Sequence, residues 1–332
     1  IHTHIPHKKK CISKYKPLSR SYFKMVELVN LFGLSINQSP ISTFHLAEGP
    51  GGFIEAISEI RNCKQDRYIG MTILDDLDIN VPAWKKSEKF LKDNPNIYIE
   101  TGIDKTGNIL NINNFEYCVK KYGSSMHLMT ADGGFDFSTN FNQQEHNVTK
   151  LLFAQICFAV CMQKRDGAFI LKLFDCFTPS TIDILYILSS FYKKVYITKP
   201  QTSRYANSEK YIVCKGFLFD SSIHFYQKLY DAFNTMIHTE NYINRFLNIS
   251  VSHFFINKLE EYNSIFGQQQ IENIYYTLSL IENKAKSSEK IENIIKLNIQ
   301  KCIQWCIKHN IYYNENPLDS FVDIENPMNA YV

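Results

Sequence analysis

Leu46-Ala47-Glu48-Gly49-Pro50-Gly51-Gly52-Phe53 is entered by the apolar, β-branched run Ile41 to Leu46 and left by a helix-like segment from Phe53 to Ile60. It reads as strand, tight turn and helix. Glycines at 49, 51 and 52 permit backbone conformations and close approaches that a Cβ would block. The helix start beyond them offers free N–H groups to a ligand. The dinucleotide pattern G-x-G-x-x-G is not met, because position 54 is Ile. On this stretch alone, a plain tight connection competes with a cofactor turn.

Four ionisable residues favour the cofactor turn, each standing where a predicted strand ends or beside a turn: Lys24, Asp132, Lys172 and Glu209. Asp132 follows the apolar run Met126 to Ala131 and precedes Gly133-Gly134. Its carboxylate is therefore expected at a strand's carboxyl end, where open α/β sheets put their ligands. Lys172 closes the run Ala168-Phe169-Ile170-Leu171, and Glu209 lies just before Tyr211-Ile212-Val213-Cys214. Any one of them taken alone reads more readily as half of a surface salt bridge. Four at strand edges around one glycine turn point to a site, since a charge in a buried strand is costly unless paired.

Candidate strands near 41–47, 67–72, 96–100, 126–131, 167–173, 194–198 and 211–217 alternate with helical stretches at 53–61, 84–92, 111–121, 142–163 and 179–191. Such alternation predicts a doubly wound, mostly parallel sheet. Beyond about 221 the pattern changes. Ile291, Ile294, Ile295, Cys302, Ile303 and Cys306 recur at helical spacing, and Tyr275 to Lys284 also reads as helix. The expected organisation is a basic leader over 1–18, a catalytic domain over 19–220 and a helical C-terminal extension over 221–332.

Five ordered segments resemble the FtsJ-like RNA 2′-O-methyltransferases: Ser19-Arg20-Ser21-Tyr22-Phe23-Lys24, Glu48 to Phe53, Ala131 to Gly134, Ile170 to Asp175 and Lys199 to Glu209. The resemblance covers residues 19 to 217. It is to the mRNA cap-1 branch, because ribosomal-RNA members usually carry Ala-Pro-Gly-Gly at the first turn and an Asp-Met-Ala-Pro-like segment where this chain has Asp-Gly-Gly. It implies a class I, Rossmann-like methyltransferase fold with seven strands, the last of them, 211–217, inserted antiparallel between its neighbours.

The resemblance also implies roles. The family's Lys-Asp-Lys-Glu tetrad falls on Lys24, Asp132, Lys172 and Glu209. A ribose 2′-hydroxyl is a poor nucleophile at neutral pH, so its attack on the methyl of S-adenosylmethionine is helped by a positioned base and fixed geometry. Lys172 is the implied base, the two acids are orienting groups that hold both ammonium heads, and Lys24 also stabilises charge on the 2′-oxygen. Cofactor contacts are implied for Ser19, Glu48, Gly49, Pro50, Gly51, Gly52, Phe53 and Asp132. Asn108 and Ile109 are implied to flank the adenine, although several relatives carry Asp where this chain has Asn108. Asp75 and Asp76 are weaker candidates for the cofactor ribose, for which an acidic loop is the commoner explanation. Arg20, Ser203, Arg204 and Asn207 are the implied substrate contacts. The partner is the capped 5′ end of mRNA, with other capping enzymes as further expected partners. No motif picks out a ring that stacks on the cap.

Net charge is only +3, so an RNA track must come from local clustering rather than bulk charge. Lys8, Lys9, Lys10, Lys14 and Lys16, with Tyr15 among them, are one such cluster. A solvated leader explains them equally well. Arginine occurs only at 20, 61, 67, 165, 204 and 245. The excess of Lys, Ile, Asn and Tyr matches an AT-rich genome, that of a large DNA virus or a microbial eukaryote. The nine cysteines contain no C-x-x-C pair, and Cys157/Cys161 and Cys302/Cys306 have the spacing of one helix face. Reduced thiols in a cytoplasmic or nuclear compartment are expected, or in a virion or cytoplasmic factory if the source is viral. His2, His4 and His7 read as part of the leader, and no metal is expected. No apolar run is long enough to span a bilayer, so a soluble protein is expected.

The leading functional reading is methylation of the 2′-oxygen of the first transcribed nucleotide of capped mRNA. Methylation of ribosomal or transfer RNA is the alternative within the same chemistry. A catalytically silent RNA-binding scaffold of a capping assembly is the alternative outside it.

Overall fold

A computed structural model describes residues 2–5, 8–34, 39–74, 83–134, 144–283 and 288–314. Seven strands form one sheet in the order β5-β4-β3-β6-β7-β9-β8. They are β3 (Ser42–Leu46), β4 (Arg67–Met71), β5 (Ile97–Ile99), β6 (Met126–Ala131), β7 (Gln163–Leu173), β8 (Tyr192–Thr198) and β9 (Lys210–Phe217). The pairs β3–β4, β3–β6, β4–β5 and β6–β7 are parallel. As expected, β9 lies between β7 and β8 and is antiparallel to both.

Helices cover the sheet: α1 (Ser21–Phe32), α2 (Gly52–Arg61), α3 (Glu88–Asp93), α4 (Ile112–Tyr122), α5 (Gln144–Met162) and α6 (Pro179–Phe191). Local chemistry starts and stops several of them. Thr178 caps α6 by accepting the Thr181 N–H, with Pro179 in the first turn where a missing N–H costs nothing. Gly33 ends α1 in the left-handed region at φ 58°. The expected helix over 84–92 forms only from Glu88, because 84–87 is a turn closed by the Ser87 N–H to the Trp84 carbonyl.

Two cores flank the sheet. One holds α4 and α5 against β3, β4, β6 and β7; α5 is apolar nearly all round, as a helix covered on both sides must be. The other holds α1 and α2 and the opposite faces of the strands. Three further helices, α7 (Tyr226–His238), α8 (His253–Glu282) and α9 (Ser288–Lys308), follow β9. Phe233 and Met236 of α7 and Leu259 of α8 are buried in the first core. Ile299, Trp305 and Cys306 of α9 are buried in the second. A ring such as Phe233, fully buried, contributes about 2 kcal/mol. The helices beyond residue 221 are thus part of both cores, and α8 is far longer than Tyr275 to Lys284.

The leader folds back as an antiparallel pair, β1 (His2–Ile5) with β2 (Lys8–Cys11). Just after it, the Lys14 N–H donates to the Tyr312 carbonyl and the Asn314 N–H to the Ile12 carbonyl, so residues 12–14 pair with the end of the described chain. Among the described residues no helix is long and apolar enough to cross a membrane, and no His, Cys, Asp and Glu cluster could hold a metal ion. None of the nine cysteines is in a disulfide; Cys157 and Cys161 lie in α5, where burial raises their pKa.

Candidate active site

The carboxyl ends of β3, β6 and β7 converge with the start of β9, and four charged heads meet there as two ion pairs. Lys24, projecting from α1, places its Nζ 2.8 Å from each carboxylate oxygen of Glu209. Lys172, near the end of β7, donates from Nζ to the Asp132 carbonyl oxygen at 2.7 Å and lies 3.5 Å from Asp132 Oδ1. All four side chains are largely shielded, between 10% and 17% exposed, which strengthens both pairs relative to surface ones. Glu209 also feels the Lys172 charge. Burial raises its carboxyl, but the Lys24 ammonium and the Ser203 hydroxyl outweigh that and hold it below the ordinary carboxylate value.

Tyr211 joins the two pairs. Strand register sets it directly opposite Lys172, and it stands two residues after Glu209, which immediately precedes β9. Its hydroxyl donates to Asp132 Oδ1 at 2.8 Å, and Lys24 Nζ lies 5.8 Å from its ring centroid. Sequence reasoning took Tyr211 as a strand residue only. The two-residue spacing from Glu209 was the signal that placed it at the site.

The glycine turn faces the same end of the sheet. Gly51 has φ 100°, a conformation open to glycine, and its N–H closes the turn onto the Glu48 carbonyl at 2.6 Å. A Cβ on Gly49 would strike the Ala83 carbonyl oxygen, and one on Gly52 the Ser19 and Ser21 hydroxyls. Ser19 therefore lies against the turn, with its Oγ 2.5 Å from that of Ser21. Glu48 is buried; the Thr130 hydroxyl donates to its Oε1, while Oε2 has no hydrogen-bond partner and lies 3.5 Å from His45 Nδ1. Phe53 turns its ring into the core beside Tyr211, so only its backbone can meet a ligand at the turn.

The loop before α4 orders Asn108 through an Asx turn, its Oδ1 accepting the Leu110 N–H at 2.9 Å. That leaves the Asn108 Nδ2 donors for a ligand. The Ile109 side chain, 4% exposed, packs in the core instead of standing free. Asp75 and Asp76 lie outside the described residues. The adenosylmethionine implied by the sequence fits the residues present. Its amino group suits the orphaned Glu48 oxygen, and the turn can bring its backbone N–H groups to a ligand because Gly49, Gly51 and Gly52 pack without Cβ atoms against Ala83, Trp84, Ser19 and Ser21.

On the acceptor side, Arg20 and Arg204 are solvent-exposed neighbours. Burial of the Arg20 guanidinium base and the positive charge of Arg204 lower the Arg20 pKa, an arrangement that an anion between them would relieve. Ser203 differs from expectation: it is buried and spends its hydroxyl on Glu209 rather than facing a substrate. Asn207 is half-buried, with its amide oxygen and carbonyl both held by Lys199. Glu27 of α1 was not anticipated. Its carboxylate accepts the Gln201 N–H at 2.7 Å, the Thr202 N–H at 3.2 Å and the Thr202 hydroxyl at 3.1 Å, and so fixes the start of the acceptor loop.

A mixed seven-stranded sheet with an inserted antiparallel strand, a glycine turn after the first strand of that sheet and paired charges at its carboxyl end define a Rossmann-like methyltransferase. The chain belongs to the FtsJ-like methyltransferase family, whose profile matches residues 17–217. It is similar to the cap-specific mRNA (nucleoside-2′-O-)-methyltransferase 1 of Trypanosoma cruzi, 38% identical over 51% of this chain and 46% of that one. The enzyme of the same name from Mus musculus is 34% identical over 54% of this chain and 22% of its own length. The inactive cap-specific mRNA (nucleoside-2′-O-)-methyltransferase 1B of Caenorhabditis briggsae is 31% identical over 51% of this chain and 20% of that one. The matched region spans less than half the length of each of these relatives.

Proposed function

We propose that this chain transfers a methyl group from S-adenosylmethionine to the ribose 2′-oxygen of the first transcribed nucleotide of capped mRNA. The observation that carries the reading is the pair of ion pairs, Lys24–Glu209 and Lys172–Asp132, set beside the Gly49–Gly52 turn. The similarity to cap-specific relatives supports the choice of RNA end.

When bound, S-adenosylmethionine supplies the methyl group. This chain's residues supply orientation and proton handling. Lys172 is placed to take the 2′-hydroxyl proton at Nζ once it is neutral, and Asp132 and the Tyr211 hydroxyl fix that nitrogen's surroundings. Lys24, held by both oxygens of Glu209, stabilises negative charge that grows on the 2′-oxygen. Arg20 and Arg204 meet RNA phosphate, with other capping enzymes as further partners of the assembled substrate.

The test compares methyl transfer to a short capped RNA, the same RNA uncapped, and a Lys172→Ala variant. Transfer to the capped RNA alone, reduced about 10²- to 10⁴-fold in the variant, is the expected result. Equal transfer to uncapped structured RNA would favour the ribosomal or transfer-RNA reading. RNA binding without transfer would favour a silent scaffold, a reading the inactive relative keeps in view.

A further inference from the structure

Lys199 follows β8 and is half-buried behind the acceptor loop. Its Nζ donates to the Asn207 carbonyl at 2.7 Å, to Asn207 Oδ1 at 3.0 Å and to the Glu209 carbonyl at 2.7 Å. An ammonium has three N–H bonds and no acceptor, so these three bonds use it completely. None of its partners is charged.

Two consequences follow from that chemistry. Only an oxygen can accept from the ammonium, which settles the amide orientation of Asn207: Oδ1 faces Lys199 and the Nδ2 donors face away. Nδ2 has no partner within the protein among the described residues. The second consequence concerns Glu209. Its backbone is pinned by Lys199 at the residue whose carboxylate clamps Lys24.

We propose that Lys199 is a positioning residue for the acceptor: it locks the loop from Asn207 to Glu209 so that the Asn207 amide N–H groups meet an oxygen of the incoming nucleotide while Glu209 stays on Lys24. This rests on the reading of the site as an RNA 2′-O-methyltransferase. Among the described residues Lys199 forms no ion pair, and its three hydrogen bonds go to Asn207 and the Glu209 backbone, so it acts through those two residues.

The device titrates. Burial lowers the Lys199 pKa to about 8; the Glu209 carboxylate opposes the shift, and the Lys210 and Lys24 ammonium groups reinforce it. Of these charged groups, Lys210 opens β9, Glu209 immediately precedes it and Lys24 is on α1. A polyanion bound nearby favours the charged lysine, so RNA binding takes up a proton and weakens as pH rises through about 8.

The experiment measures binding of a short capped RNA to the full chain with S-adenosylhomocysteine present, by fluorescence anisotropy from roughly pH 6.5 to 9.5. It uses the wild type, Lys199→Arg, Lys199→Met and Asn207→Asp. Wild-type affinity is expected to fall about tenfold across that range, the loss of one charge-assisted contact. Lys199→Arg, which stays charged, is expected to remain flat, and Lys199→Met to bind weakly at every pH with unchanged S-adenosylhomocysteine affinity. Asn207→Asp, which keeps the oxygen and removes the donors, is expected to bind weakly as well. A flat wild-type profile, or a Lys199→Met variant that binds RNA as the wild type does, overturns the proposal. Should Lys199→Met fail to fold, the contrast between wild type and Lys199→Arg decides. Methyl transfer is followed on the same RNA. Transfer with flat binding overturns the role of Lys199 alone, whereas pH-dependent binding without transfer overturns the assigned reaction alone.

Discussion

The indole N–H of Trp305 donates to Glu27 Oε2 at 3.2 Å, across 278 residues of chain. The same carboxylate holds the Gln201 and Thr202 N–H groups, so α9 and the acceptor loop share one acceptor on the helix that carries Lys24. Trp305 also packs edge-on to Phe23 and lies 4.4 Å from the His309 ring, whose Nδ1 is 2.9 Å from Asn30 Nδ2. The end of the described chain is thereby coupled to the loop that presents Arg204, Asn207 and Glu209.

Replacing Trp305 separates packing from this bond. Trp305→Phe keeps most of the ring contact and removes the donor, and it is expected to raise the RNA KM several-fold while leaving S-adenosylhomocysteine affinity unchanged. Trp305→Ala is expected to cost about 3–5 kcal/mol of stability, read by urea denaturation, because a large buried ring leaves a cavity.

Glu209→Gln keeps the shape and removes the charge facing Lys24. A largely shielded ammonium then loses its counter-charge, and a loss of about 1–3 kcal/mol is expected, with methyl transfer down by at least tenfold. The folded pKa of Glu209 lies below its ordinary value of 4.5, so its contribution is fully present above that pH and disappears as pH falls through the lowered value. Acid unfolding of the wild type therefore carries a component absent from Glu209→Gln, and the two should show no difference in pH slope near neutrality.

Glu55 behaves in the opposite sense. Burial raises its pKa to about 7, against the hydrogen bonds from the Tyr15 hydroxyl at 2.7 Å and the Leu18 N–H at 2.8 Å, with Glu59 adding to the rise. The folded protein holds a proton there that the unfolded chain releases near 4.5. Stability from this group is present below about 4.5 and lost as pH rises through about 7. Thermal melts between those values should show a falling Tm in the wild type and a flatter profile in Glu55→Gln.

Gly49→Ala tests the turn. The added methyl meets a backbone oxygen, that of Ala83, which no rotamer change can move. S-adenosylhomocysteine binding, measured by calorimetry, is expected to weaken by at least about tenfold, and Tm to fall by several degrees. Binding equal to the wild type would remove the turn from the cofactor site.

Much of this was legible in the chain. The inner strands of the central sheet could be read because they are short, near-continuous apolar runs bounded by turn residues or charges, as strands covered on both faces are. The Gly49–Gly52 turn was legible because its backbone requires the missing Cβ atoms that the residue names declare. Helix α1 was not drawn as a helix: its first turn has no acidic residue and no capping side chain, and its helicity comes from packing on α2 and α9. Helix α3 was drawn too long, since Ser87 is part of a turn that side-chain pattern does not distinguish from a helix start.

The sequence by itself determined the order of elements, the turn chemistry and which four ionisable residues could form a site, because these depend on residue type and on neighbours within a few positions. Only the tertiary structure decided how the charges pair. Lys24 finds Glu209 across 185 residues, Glu27 serves both Gln201 and Trp305, and Ser203 turns inward to Glu209. A buried polar group must find a partner wherever the fold brings one, and that choice is made by the packing of the two cores, not by the order of residues along the chain.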